Sequence, residues 1–170
     1  MCLITEHAKA LVELRETKKR IQELESRLEL PEPAKVISRL YRQDFIALLA
    51  PSGILPIAID APLDSVITIT SKAELDRIAP YLVYPADQYV AETWDCEDYG
   101  IRAQSDAALK FGVNGIRLCL GTSPVGFHAF VVTVDTESKV WWLEPNAGFE
   151  FAGVWQAVGT QGYKPEKVLA

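Results

Sequence analysis

Pro31-Glu32-Pro33 divides the sequence. Proline has no backbone N–H and its ring clashes with the preceding turn, so a helix arriving from the N-terminal side must stop there. Residues 3 to 29 contain no Gly and no Pro, and Leu3, Ala10, Leu14, Ile21, Leu24 and Leu28 fall on one a/d seam, interrupted by His7 and Thr17. Lys18, Lys19, Arg20, Glu23, Glu25 and Arg27 cover the outside. Glu23 and Arg27, four residues apart, add helix support. The expectation is an N-terminal amphipathic helix over residues 1–30, a possible coiled coil, ahead of a domain over residues 34–170. The imperfect seam leaves two arrangements open. The helix pairs with a second copy or a partner helix, giving a homo-oligomer, or it folds back on its own domain.

Beyond the prolines, Ile37, Leu40, Tyr41, Phe45 and Leu48 recur at helical spacing, so residues 36–49 read as a helical or mixed segment. Pro51-Ser52-Gly53 is a turn. Residues 54–59 and the β-branched run 65–70 read as short strands. Ser71 followed by Glu74 has the capping-box pattern, which starts a helix over residues 72–78. Residues 80–85 read as irregular. A helix over residues 96–111 shows Ala103, Ala107, Ala108 and Phe111 on one face and ends at Gly112. Residues 116–120 form a strand, and 121–124 a loop. Residues 127–134 and 139–143 alternate as two antiparallel strands around a turn at 135–138. Residues 149–155 read as one more strand, and the last residues, with Lys164, Glu166 and Lys167, as a poorly ordered end or an edge. Helices followed by a run of antiparallel strands make an α+β fold, with helices packed on an antiparallel sheet.

The 170 residues suffice for one domain with a proper core. A net charge of −6 without a basic patch argues against nucleic acid as a partner. No apolar run reaches the ~20 residues that cross a bilayer, so no membrane role is expected. The first residues lack a secretory signal, and three unevenly spaced cysteines do not form a disulfide framework. The expected setting is cytoplasmic or part of a larger assembly. Two histidines and no Cys-x-x-Cys pair speak against zinc.

Three residues carry chemistry. Cys96 stands at the start of the second long helix, where free N–H groups and the helix dipole favour a thiolate. Asp95, Glu97 and Asp98 around it act against a further negative charge, and they also suit a helix N-terminus. His128 begins a strand and is one of two histidines in the chain. Glu144 ends the next strand. Counting outward from the turn sets residue 128 opposite 145 or its neighbours, which brings either the Glu144 carboxylate or the Asn146 amide to the imidazole. A thiol, a base and a group that orients the base are the parts of nucleophilic acyl chemistry. The plain alternatives are a buried filler cysteine, a histidine without a chemical role and a solvated strand-end carboxylate. Cys119 alternates inward in an apolar strand and reads as structural, and Cys2 lies in the helical segment rather than on a strand. Among the late aromatics, Trp141, Trp142, Phe149, Phe151 and Trp155 could line a groove, with at least one of the adjacent tryptophans in the core.

The runs Asp95-Cys96-Glu97-Asp98-Tyr99, Gly126-Phe127-His128-Ala129 and Trp142-Leu143-Glu144-Pro145-Asn146 resemble the Cys–His–acid pattern of papain-like and transglutaminase-like cysteine peptidases. They are similar to the bacterial transglutaminase-like cysteine peptidases and to the C-terminal papain-like domain of fungal agglutinins. The likeness covers residues 85–150. It implies a papain/transglutaminase-like fold, with Cys96 as nucleophile, His128 as base and Glu144 as orienting residue, Asn146 being the alternative. It also implies an oxyanion role for Gln88, by analogy with the glutamine that papain-like enzymes place before their cysteine. Gly100 stands where these families have alanine, and Phe127 separates the glycine from the histidine. Some of these families depend on calcium, which Asp95, Glu97 and Asp98 would have to hold; no other cofactor is expected. The resulting expectation is a cysteine hydrolase that cleaves a peptide, isopeptide or amide bond of a protein or peptide substrate through a thioester. The alternative is a catalytically silent binding or assembly protein that associates through residues 3–29.

Overall fold

The computed structural model describes residues 14–19, 31–35, 37–57 and 64–170. The chain divides into two units, residues 1–31 and 32–170. In the first, residues 14–19 are helical and exposed; the rest of the expected seam, and any pairing through it, lies outside the described residues. No helix among the described residues is long and apolar enough to cross a membrane.

The second unit is α+β. Its elements are β1 (Ile37–Tyr41), α1 (Arg42–Leu49), β2 (Leu55–Pro56), β3 (Val66–Thr70), α2 (Lys72–Ile78), α3 (Cys96–Phe111), β4 (Arg117–Ser123), β5 (Gly126–Val134), β6 (Val140–Leu143), β7 (Gln156–Ala157) and β8 (Lys164–Val168). Six strands form one sheet in the order β2-β8-β4-β5-β6-β7, and β1 pairs with β3 in a second, two-stranded sheet. All pairs are antiparallel except β2–β8.

Local signals fix the helices. The Ser71 hydroxyl accepts the Glu74 N–H at the start of α2. Asp95 and Asp98 form a reciprocal capping box at the start of α3. Gly112 ends α3 in a left-handed conformation, φ +71°, which a side chain would disfavour.

β5 is the centre of the molecule. It is buried along almost its whole length, so its alternation serves two cores rather than one core and solvent. Val131 joins Tyr99, Ala103, Ala107 and Phe111 of α3 and Leu75 and Ile78 of α2. Phe130, Val132 and Val134 join Phe45 and Leu49 of α1, Ile67 and Ile69 of β3, Trp142, Tyr163 and Val168. Burying side chains of this size contributes roughly 1.5–3 kcal/mol each.

The segment read as helical or mixed is mixed: residues 37–41 are a strand, paired with β3 despite their helical spacing, and α1 follows. Two sequence expectations are corrected. Residues 149–155 are turns rather than a strand, with Gly153 at φ +76°. The C-terminal segment is neither frayed nor at an edge. As β8 it lies between β2 and β4, with Pro165 and Val168 inward and its charged residues outward.

The β4–β8 pairing shifts register between Leu120 and Gly121. A Cβ on Gly121 would stand 2.2 Å from the Lys164 carbonyl oxygen. That obstacle is backbone and cannot swing aside. Gly121→Ala is therefore expected to destabilise the fold by roughly 1–3 kcal/mol, the usual cost of overpacking. Urea unfolding measures it; a midpoint equal to wild type would mean that β8 yields freely.

Candidate functional site

The N-terminus of α3 and the start of β5 face one cleft of about 440 Å³. Ala86, Tyr89, Cys96, Val125, Phe127, His128, Asn146, Gly148 and Phe149 line it.

Cys96 is the first residue of α3, after the extended N-cap Asp95. It is half-buried. Its thiol points to a carboxylate: Sγ lies 3.3 Å from Glu97 Oε2. The hydrogen bond donated to Glu97 holds the Asp95 carboxyl above its usual range, and the same contact holds Glu97 below its own. The Glu97 carboxylate stands beside the sulfur, where it opposes a second negative charge. Glu97→Gln is expected to speed Cys96 alkylation at pH 7 about fivefold, the factor that ~1 kcal/mol of repulsion is worth. Rates followed by mass spectrometry with iodoacetamide test this; an unchanged or slower rate would mean that Glu97 does not oppose the thiolate.

His128 is 5% exposed. Its ring stacks on Phe149 with centroids 4.7 Å apart and 26° between planes. His128 Nε2 and Glu144 Oε2 are 2.7 Å apart. An ionised carboxylate only accepts, so Nε2–H donates and Nδ1 is left for the thiol. Burial acts against the charged imidazolium, but the hydrogen bonds to Cys96 and Glu144 overcome it and push His128 up to about 9.

Glu144 is fully buried. The β5–β6 ladder pairs Val131 with Leu143. Continued by one residue it sets Glu144 opposite Phe130, on the same face as His128 and diagonal to it, a spacing that long side chains bridge. Both carboxylate oxygens have partners. Oε1 accepts the Asn146 N–H at 2.9 Å, and Oε2 accepts the Tyr163 hydroxyl at 3.1 Å besides His128. Asn146 lines the cleft, yet its side-chain oxygen is taken by the Gly148 N–H at 2.9 Å. Of the two alternatives for the third position, Glu144 holds the imidazole.

Gln88 is not brought to the cleft. It is exposed on a short 3₁₀ turn, and its Oε1 accepts from Arg102 at 3.4 Å. The carboxylates expected to hold calcium do not form an oxygen cage among the described residues. Asp98 is turned back onto the Asp95 N–H at 3.2 Å. Asp95, Cys96 and Glu97 offer ligand atoms within 4.8 Å of one another, but one of the three is sulfur, which calcium disfavours. Cys119 is buried, and burial pushes its thiol up to about 12. Sequence reasoning did not single out Tyr89, Val125, Phe127 or Tyr163 for the site. For the first three the signal is composition: large apolar residues at a hairpin tip and in an irregular loop, with Phe127 73% exposed.

No family model matches the sequence, and no curated protein does. Solved structures do. One, described as the PSL1a–E64 complex, is 18% identical with a TM-score of 0.54, covering 78% of this chain and 51% of that one. Another is Polyporus squamosus lectin bound to the human-type influenza-binding epitope Neu5Acα2-6Galβ1-4GlcNAc, 19% identical with a TM-score of 0.56, covering 78% of this chain and 49% of that one. The chain thus spans about half the length of the structures it matches. At this identity the likeness reaches the fold and nothing finer.

These neighbours correct the family and the function read from the sequence. The chain is not placed among the papain-like or transglutaminase-like peptidases, since a structural neighbour is described as a lectin. The cysteine-hydrolase reading falls with that placement, and so does a protein or peptide substrate. The physical reason is that three short motifs specify a local constellation, whereas a reaction needs a bound substrate and a fold hosts many functions. The α+β class stands.

Proposed function

We propose that the chain is a ligand-binding module whose site is the Cys96–His128–Glu144 cleft, with Cys96 as a nucleophilic thiol, His128 as its proton acceptor and Glu144 as the group that orients His128. The observation that carries this reading is the buried His128–Glu144 contact of 2.7 Å at the floor of a cleft that also exposes Cys96. A histidine that holds its proton to about pH 9 is a cation at neutral pH. A cation beside a sulfur favours the thiolate. The ligand enters between the Tyr89 side and the Val125–Phe127 hairpin, whose apolar faces suit an apolar group next to the sulfur.

The test is alkylation by iodoacetamide from pH 5 to 9, with each cysteine followed by mass spectrometry. Cys96 is expected to react at pH 6 while Cys119 does not. E64, the compound named with one structural neighbour, is a second probe, read as an adduct on Cys96. If Cys96 reacts no faster than an ordinary exposed thiol at pH 6 and takes up no E64, the reading fails.

A second reading is favoured by one observation, the glycan named with the other neighbour. The cleft combines the aromatic faces of Tyr89, Phe127 and Phe149 with the polar groups of His128 and Asn146. Aromatic faces with a few fixed polar atoms are the chemistry that takes up the C–H face and hydroxyls of a sugar ring. Titration with that trisaccharide, followed by NMR, is expected to shift Phe127 and Phe149 resonances. Shifts absent at millimolar ligand, or undiminished in Phe127→Ala, would remove this reading.

A further inference from the structure

We infer that the Tyr163 hydroxyl positions Glu144 against His128, so that four side chains rather than three hold the site. The inference rests on the Cys96–His128–Glu144 reading proposed above. It begins from the cost of burying a carboxylate. Glu144 has no exposed surface, and a charge there needs a donor for each oxygen. Oε1 has the Asn146 N–H. Oε2 receives two donors, His128 Nε2 at 2.7 Å and the Tyr163 hydroxyl at 3.1 Å. The oxygen that orients the imidazole is thus held from a second direction by a group outside the sequence trio.

Tyr163 is itself fixed. Its ring stacks on Trp142 with centroids 3.9 Å apart and 12° between planes. It meets Phe130 edge-on at 5.3 Å. Trp142 is tied by Nε1 to the Ala157 carbonyl at 3.2 Å. Burial and the Glu144 charge raise the Tyr163 hydroxyl well above the ordinary phenol range. It therefore remains a donor at neutral pH. Without this donor Oε2 is held by His128 alone, and the imidazole keeps its direction less firmly.

Tyr163→Phe tests the hydroxyl alone, because the ring and its stack on Trp142 remain. The first readout is the proton resonance of His128 Nε2–H, which a merely structural tyrosine would not move. In wild type it is expected downfield and slow to exchange with water. In Tyr163→Phe its exchange is expected to quicken about tenfold, the scale of a charge-assisted hydrogen bond, and Cys96 alkylation to slow by a similar factor. Trp142→Phe alters the stack and keeps the hydroxyl, so its resonance is expected to stay near the wild-type position. An unchanged exchange rate in Tyr163→Phe overturns the inference, and so does a Trp142→Phe effect as large as that of Tyr163→Phe. Failure of the underlying reading looks different: wild-type Cys96 would be unreactive while the His128 resonance still depended on Tyr163.

Discussion

Replacing His128 with alanine is expected to slow the alkylation of Cys96 at pH 6 by about 10- to 100-fold. An ordinary thiol titrates near 8.5, so roughly 0.3% of it is thiolate at pH 6. His128, raised to about 9, is a cation beside the sulfur at that pH, and a neighbouring cation favours the reactive thiolate. The gain in rate is smaller than the gain in thiolate, because a more stabilised thiolate is a weaker nucleophile, with a Brønsted slope of about 0.4–0.5. Cys119, buried and with its thiol raised to about 12, serves as the internal reference and is expected to stay silent in both proteins. At pH 9 the variant should approach wild type, since hydroxide then replaces the imidazole. Equal rates at pH 6 would separate the sulfur from the histidine and end the proposed pairing.

The second large effect concerns stability. Glu144→Ala leaves the buried His128 without its carboxylate, and breaking a buried pair from one side costs about 3–5 kcal/mol. His128 should then fall from about 9, because burial still acts against its charged form and the Glu144 hydrogen bond and charge, which raise it together with Cys96, are gone. The sign of the pH dependence follows from the raised value. The folded state binds the His128 proton more tightly than the unfolded state. Its contribution is therefore complete below about pH 6.5 and disappears as pH rises through about 9. Urea unfolding of wild type at pH 6, 7.5 and 9.5 should show this loss, and Glu144→Ala should flatten it. A stability difference between the two proteins that is the same at pH 6 and pH 9.5 would contradict the linkage.

The helices that place the site were legible because their signals are local. Ser71 with Glu74 starts α2, and Asp95 with Asp98 starts α3, each within four residues. The partner of the His128 imidazole was legible as a pair of alternatives, because turn length sets register. Choosing between Glu144 and Asn146 needed side-chain directions: Glu144 faces the imidazole, and the Asn146 amide oxygen is spent on Gly148. What could not be read depends on partners distant in sequence. Ile37, Leu40 and Tyr41 look helical until β3 pairs with them. Lys164, Glu166 and Lys167 look like a solvated tail, because nothing nearby shows that β4 and β2 flank them. Tyr163 was missed for the same reason, since it reaches Glu144 only once β8 is in place. Gln88 was placed by analogy of spacing, and the short turn at Ala86–Gln88 sends its side chain toward Arg102 instead. The peptidase placement failed at a different level, because motif order does not carry the identity of what a cleft receives.

The position of β8 in the sheet also sets when the cleft can exist during synthesis. Cys96, His128 and Glu144 leave the ribosome first, in that order, while residues 163–168 follow. Until those residues emerge, β4 lacks its neighbour on one side and Glu144 lacks the Tyr163 hydroxyl. A nascent chain that already carries the thiol, the imidazole and the carboxylate therefore still lacks one strand of the sheet and the Tyr163 contact on Glu144.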